Sequence, residues 1–159
     1  MARDHGHADS GDPSGSGRAG RFSVRRALWL VALLCWVGFV WGHSLVPGEA
    51  SDADSMAYVA RLSPLFGALG VTGAHLMDVI VRKSGHFLEY AVLGVIADGA
   101  PSRVASVLIC VVVPCVDETI QLFVPGRSGM VTDVCLDMFG CAVGLGLLAL
   151  ARRAVTRRG

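Results

Sequence analysis

Three stretches of this chain stay apolar for about 20 residues at a time, and nothing else constrains its fold as tightly: 27–46, 103–123 and 130–151. As a helix, each is long enough to cross a hydrocarbon core of roughly 30 Å. A bilayer core offers no water to unpaired backbone groups, so a span must satisfy its own hydrogen bonds, and helices follow. A fourth stretch, Ala74 to Asp98, ends before Pro101. Its outer third carries Arg82, Lys83, His86, Glu89 and Tyr90, and its remainder is Ala, Val, Leu, Gly and Ile. Apolar residues make up 53% and charged residues 17% of the chain, the latter in a few places. That composition is ordinary for a small polytopic membrane protein and unusual for a soluble domain. The expectation is an all-α membrane bundle of four transmembrane helices plus one short interfacial helix.

Residues 1–22 are Gly, Ser, Asp, His and Arg with little that is apolar, and read as a disordered cytoplasmic tail. In that setting His5 and His7 are bystanders. Residues 23–159 form the membrane domain. Arg25 and Arg26 introduce the first span, and no Ala-x-Ala-like site follows it, so it reads as a retained helix and not a signal peptide. Trp29, Trp36 and Trp41 include candidate interfacial anchors. In the long connection, Ser51 and Asp54 resemble a capping box. Met56, Val59, Ala60 and Phe66 then recur at helical spacing, as in a helix lying on the bilayer surface, and Pro64, Gly67, Gly70 and Gly73 are expected to break it. A kink is expected at Pro114. Arg18, Arg21, Arg25 and Arg26 before the first span, Arg103 between the second and third, and four arginines after the fourth place both termini in the cytoplasm of a multi-pass plasma-membrane protein. The five cysteines lack a paired spacing and read as small packing residues. No basic run is interleaved with aromatics, which leaves no support for a nucleic-acid partner.

With that topology the polar start of the second span, the end of the third and the start of the fourth point to one side. Lys83, His86, Glu89, Tyr90, Asp117, Glu118, Gln121, Arg127, Asp133 and Asp137 then gather in the outer half of the membrane. His86 with Glu89 or Tyr90, Glu118 with Gln121, and Asp133 with Asp137 are three or four apart and share helix faces. Gly140 and Gly144 continue the Asp133–Asp137 face and let another helix approach. A carboxylate within a span is unfavourable by roughly 2.5–3.5 kcal/mol, so several retained together need partners or a task. Three readings stay open: a satisfied network that fixes helix register, a site for a polar headgroup or reaction, and a proton or ion path. The ionised carboxylates Glu89, Asp117, Glu118, Asp133 and Asp137 outnumber Arg82, Lys83 and Arg127. A protonated His86, neutral carboxylates or a bound cation would balance them. His86, Glu118, Asp133 and Asp137 offer the N and O ligands a divalent cation takes.

Residues 82–94, Arg-Lys-Ser-Gly-His-Phe-Leu-Glu-Tyr-Ala-Val-Leu-Gly, resemble the K-x-x-H-F-x-E-Y-x-x-L-G signature of VanZ-like membrane proteins. Residues 117–137 resemble that family's second block, D-E-x-x-Q-x-F-x-x-x-R-x-x-x-x-x-D-V-x-x-N/D, with Asp137 at its last position. Ser44, Ser51 and Ser55 look like the family's loop serines. The resemblance spans about 27–150. It implies a protein of the cell envelope, acting on or near lipid-linked wall precursors or a glycopeptide drug; the family is named for a protein encoded with glycopeptide resistance genes, which lowers sensitivity to teicoplanin. It brings no settled enzymatic activity.

Two further functions are weighed against a non-enzymatic binding protein. In an intramembrane enzyme, Glu118 or Asp133 would act as general base and His86 as general acid or metal ligand, with Lys83 and Arg127 holding phosphate or carboxylate. A transporter of this length would need to oligomerise. No G-x-S-x-G, H-E-x-x-H or P-loop is present, so the corresponding hydrolase, zincin and nucleotide chemistries have no support.

Overall fold

The computed structural model describes residues 15–158, with side chains from Val24 onward. Five helices account for most of it: α1 (Gly15–Ser44), α2 (Gly48–Ala68), α3 (Ala74–Ala97), α4 (Arg103–Gln121) and α5 (Val131–Thr156). No strand occurs among the described residues. Residues 15–22 of the expected tail belong to α1, while His5 and His7 lie outside the described residues. Three helices, α1 from Val24, α4 and α5, are long and apolar enough to cross a membrane. Their outward faces carry Leu28, Leu34, Leu108, Phe139, Leu147 and Leu150, all more than half exposed. So continuous an apolar surface is stable against lipid, not water.

Helix α3 is the hub. It packs along α5 most extensively and also contacts α1, α2 and α4. Against α5 the backbones meet: a Cβ placed on Gly144 would lie 1.9 Å from the Ala91 carbonyl oxygen, and one on Gly94 2.2 Å from that of Cys141. Along the helices Lys83 meets Asp133, Phe87 meets Gly140 and Ala91 meets Gly144, numbers that rise together, so α3 and α5 run parallel. Against α1 they run opposite ways. The Trp29 indole donates to the Ile96 carbonyl (2.7 Å), and seven residues on the Trp36 indole donates to that of Glu89 (3.0 Å). Trp41 donates to the Val113 carbonyl in α4 (3.4 Å). All three indoles thus fasten α1 to its neighbours, where the sequence offered them as interfacial anchors. Val40, Tyr90, Leu93, Ala97, Cys110, Val113 and Cys141 form the core between α1, α3, α4 and α5. Cys35, Cys115 and Cys135 face outward and do not pack as expected.

The turns fix which ends coincide. Val124-Pro125-Gly126-Arg127 is closed by the Arg127 N–H on the Val124 carbonyl (3.1 Å), with Gly126 at φ +76°. Pro and then a positive-φ Gly are what a type II turn requires. This turn docks on the α1–α2 connection through the Gly48 N–H on the Pro125 carbonyl (3.0 Å). That bond helps start α2 at Gly48, after Pro47, and the expected capping box at Ser51 does not form. Nor does Pro64 break α2, which runs on to Ala68. Helix α4 is continuous through Pro114, which a kink there would allow. The C-terminus of α1, the start of α3, the end of α4 and the start of α5 therefore lie at one end of the bundle. At the other end Asp98 ion-pairs with Arg152 (2.6 Å) and Arg103 (3.7 Å), and α5 extends to Thr156, past the expected end near Ala151.

Candidate functional site

Four titratable side chains from three helices meet just inside the first of these ends. His86 of α3, Asp117 and Glu118 of α4 and Asp137 of α5 each present a ligand atom, and these atoms lie within 4.8 Å of one another. Asp117 and Asp137 are fully buried, Glu118 is 5% exposed, and the His86 side chain, at 21%, is the most open of the four. The geometry follows from helix periodicity and from the glycine contacts. Gly140 would place a Cβ 2.7 Å from the Phe87 carbonyl oxygen, so α5 approaches α3 closely enough to bring Asp137 to His86.

Some of these groups are held. One Glu118 oxygen accepts the Met130 backbone N–H at the start of α5 (2.8 Å). The Gln121 amide nitrogen lies 3.3 Å from the Ser44 hydroxyl, 3.3 Å from the other Glu118 oxygen and 3.4 Å from an Asp117 oxygen. Two amide hydrogens cannot serve three acceptors well, and all three contacts are long. Others make no hydrogen bond: the second Asp117 oxygen, both Asp137 oxygens, the His86 Nδ1 and the Tyr90 hydroxyl. The Nδ1 lies 3.8 Å from an Asp137 oxygen, close enough for charge attraction and too far for a hydrogen bond. Buried polar atoms without partners are uncommon because each forfeits its hydration.

The remaining residues singled out in the sequence surround this cluster without entering it. Lys83 pairs with Asp133 one turn outward. Glu89 accepts from or pairs with His43 of α1 (3.0 Å). Arg127 spans the α1 C-terminus, its Nε donating to the Val46 carbonyl and its Nη2 to that of His43, both at 3.1 Å. There it neutralises the negative end of a helix dipole. Burial draws its guanidinium below the ordinary value. Ser44 closes α1, while Ser51 and Ser55 sit inside α2 and not in a loop; all three are buried. The Ser55 hydroxyl lies within hydrogen-bond reach of Asp78 of α3 and of the Asp52 carbonyl, and Asp52 in turn pairs with Arg82. His43, Asp52 and Asp78 were absent from the sequence-derived set. The polar stripe Ser51, Asp52, Ser55 opposite Asp78 and Arg82 was the available signal.

The sequence model of the family described as VanZ/LLP1 matches residues 29–152, which contain the whole cluster. No curated protein and no solved structure matches the chain.

Proposed function

The chain belongs to the VanZ/LLP1 family, and from that premise we propose a four-span envelope protein whose buried carboxylates receive the polar head of a lipid-linked or wall-precursor ligand. The fourth span is α3, 24 residues and so about 36 Å long. Its charges depress its hydropathy, yet Arg82, Lys83 and Glu89 are each paired with a neighbouring element, to Asp52, Asp133 and His43. Both termini are cytoplasmic because Arg25, Arg26, Arg103 and Arg152 onward lie at one end, the cluster at the other.

The observation that carries the reading is that Asp117 and Asp137, fully buried, keep three oxygens without partners. A network serving only to fix helix register would gain by satisfying them. Carboxylate oxygens accept and do not donate, which suits a head rich in hydroxyl and amino groups, such as the sugar and peptide parts of a wall precursor. Lowered sensitivity to a teicoplanin-type glycopeptide is the cellular effect proposed to follow from such binding. The enzyme alternative is less favoured: Lys83 and Arg127, the groups it would use to clamp phosphate, are engaged by Asp133 and by backbone carbonyls.

The test is binding of a fluorescent polyprenyl-linked wall precursor to the purified chain in nanodiscs, with phospholipid of the same charge as competitor. Asp137→Asn should weaken binding at least about tenfold, the loss expected for one charged hydrogen bond. Asp98→Asn, at the far end, should not. Equal binding by wild type and Asp137→Asn sinks the proposal. Precursor turnover would instead mark an enzyme, and ion flux in proteoliposomes a transporter.

A further inference from the structure

We infer that His86, Asp117, Glu118 and Asp137 form a binding site for one divalent cation of the Mn2+ or Zn2+ kind. The inference rests on reading this cluster as a ligand site. It differs from the set the sequence offered by replacing Asp133, which Lys83 engages, with Asp117.

Three features point to a cation. First, ligands at about 2.1–2.4 Å from a common ion lie at most about 4.2–4.8 Å from one another. The four donor atoms fall within 4.8 Å of one another, at the upper end of the spread that one ion can bridge. Second, three of the four residues offer donor atoms that make no hydrogen bond, the free Asp117 oxygen, both Asp137 oxygens and the His86 Nδ1, with Asp117 and Asp137 fully buried. Third, a set of supporting bonds is already in place. Met130 N–H holds one Glu118 oxygen and Gln121 borders Asp117 and Glu118, orienting the carboxylates as outer partners orient metal ligands elsewhere.

The donor types choose the ion. One imidazole among three carboxylates is a mixed N and O set, which favours Mn2+ or Zn2+ over the oxygen-only preference of Ca2+ and Mg2+. Three carboxylates with a neutral imidazole carry three negative charges, and a divalent ion leaves one. The ion would also change what the site accepts. Carboxylates alone repel a phosphate, whereas a cation held by them takes a phosphate oxygen of a lipid head or of free phosphate.

The experiment uses the full chain in detergent, stripped with a chelator and titrated with MnCl2, free Mn2+ being read by electron paramagnetic resonance. About one saturable ion per chain is expected. Asp133→Asn should retain it, and His86→Ala and Asp137→Asn should bind at least about tenfold more weakly. Competition by ZnCl2 should displace the Mn2+. Wild type that keeps its helical circular dichroism yet shows no saturable binding overturns the inference, with no variant needed. Binding undiminished in Asp137→Asn overturns it too. The nanodisc assay separates the two readings: precursor binding that survives chelation, with no ion bound, removes the cation alone. Inorganic phosphate added to the ion-loaded chain tells a free anion from a lipid head, according to which displaces the precursor.

Discussion

At the scale of single residues, the contrast is between glycines that carry the fold and carboxylates that do not. Gly144 sits where any Cβ would strike the Ala91 carbonyl, a backbone atom that cannot rotate away, whereas Gly146, two residues on, has nothing within 4 Å. Gly144→Ala should therefore destabilise by about 1–3 kcal/mol as the two helices are forced apart. Gly146→Ala should be neutral or slightly stabilising, since it adds helix propensity at no steric cost. Thermal unfolding of the detergent-solubilised variants checks both. Asp137 predicts the reverse pattern. It is fully buried beside Asp117 and Glu118, its oxygens make no hydrogen bond, and the His86 Nδ1 3.8 Å away offsets that burial only in part. Asp137→Asn, measured without added metal, should melt at or above the wild-type temperature while losing ligand binding. A melting temperature well below wild type would mean that the cluster is a structural network after all. Stability given up at a site to keep groups ready for a ligand is the signature sought.

Among elements, α3 is where sequence and structure are most informative about each other. Its limits, Ala74–Ala97, fall within one residue of what Gly73 and Pro101 imply, and α4 ends two residues short of the expected 123. Both were legible because apolar runs bounded by Gly or Pro leave few alternatives. The convergence of His86, Glu118 and Asp137 was legible too, from spacings of three and four that place polar side chains on one stripe. What could not be read was the axial offset between α3 and α5. Asp133 and Asp137 share a face, and only the Gly140 and Gly144 contacts decide that Asp137 meets His86 while Asp133, one turn outward, meets Lys83. The start of α2 was missed for a similar reason: Gly48 donates to Pro125, about 80 positions away, and a local cap at Ser51 is not needed. The offset makes its own prediction. Lys83 and Asp133 are both partly exposed, so their coupling should be modest, about 1 kcal/mol in a double-mutant cycle with Lys83→Met and Asp133→Asn. Cycles pairing Lys83→Met with Asp137→Asn should show little coupling, because those residues belong to successive turns.

For the whole molecule, the decisive quantity is the direction of each helix. The antiparallel register of Trp29 with Ile96 and Trp36 with Glu89 sets α1 against α3, and the parallel approach of Gly140 to Phe87 and Gly144 to Ala91 aligns α3 with α5. Glu118 at the end of α4 accepts from Met130 at the start of α5, so these two are joined by a tight reversal. Four helices alternate in direction, with the cluster at one end and Asp98, Arg103 and Arg152 at the other, and three of them, α1, α4 and α5, are long and apolar enough to cross a membrane. If α3 did not cross, the links on either side of it would share one membrane surface, and α4 could not enter from the end where Arg103 lies. A single-cysteine series on a cysteine-free background decides between these arrangements. Thr72→Cys, exposed between α2 and α3, and Ser128→Cys, between α4 and α5, should react with a membrane-impermeant maleimide in intact cells. Arg157→Cys and Ser102→Cys should react only after the membrane is opened. Labelling of Ser102→Cys from outside, on the same side as Thr72→Cys, would leave α3 outside the bilayer and the carboxylates of α4 without the shelter that α3 gives them. With the predicted pattern, the buried acids of α4 and α5 lie near the outer surface, where a head group carried by a membrane lipid can reach them through the His86 side without leaving the bilayer.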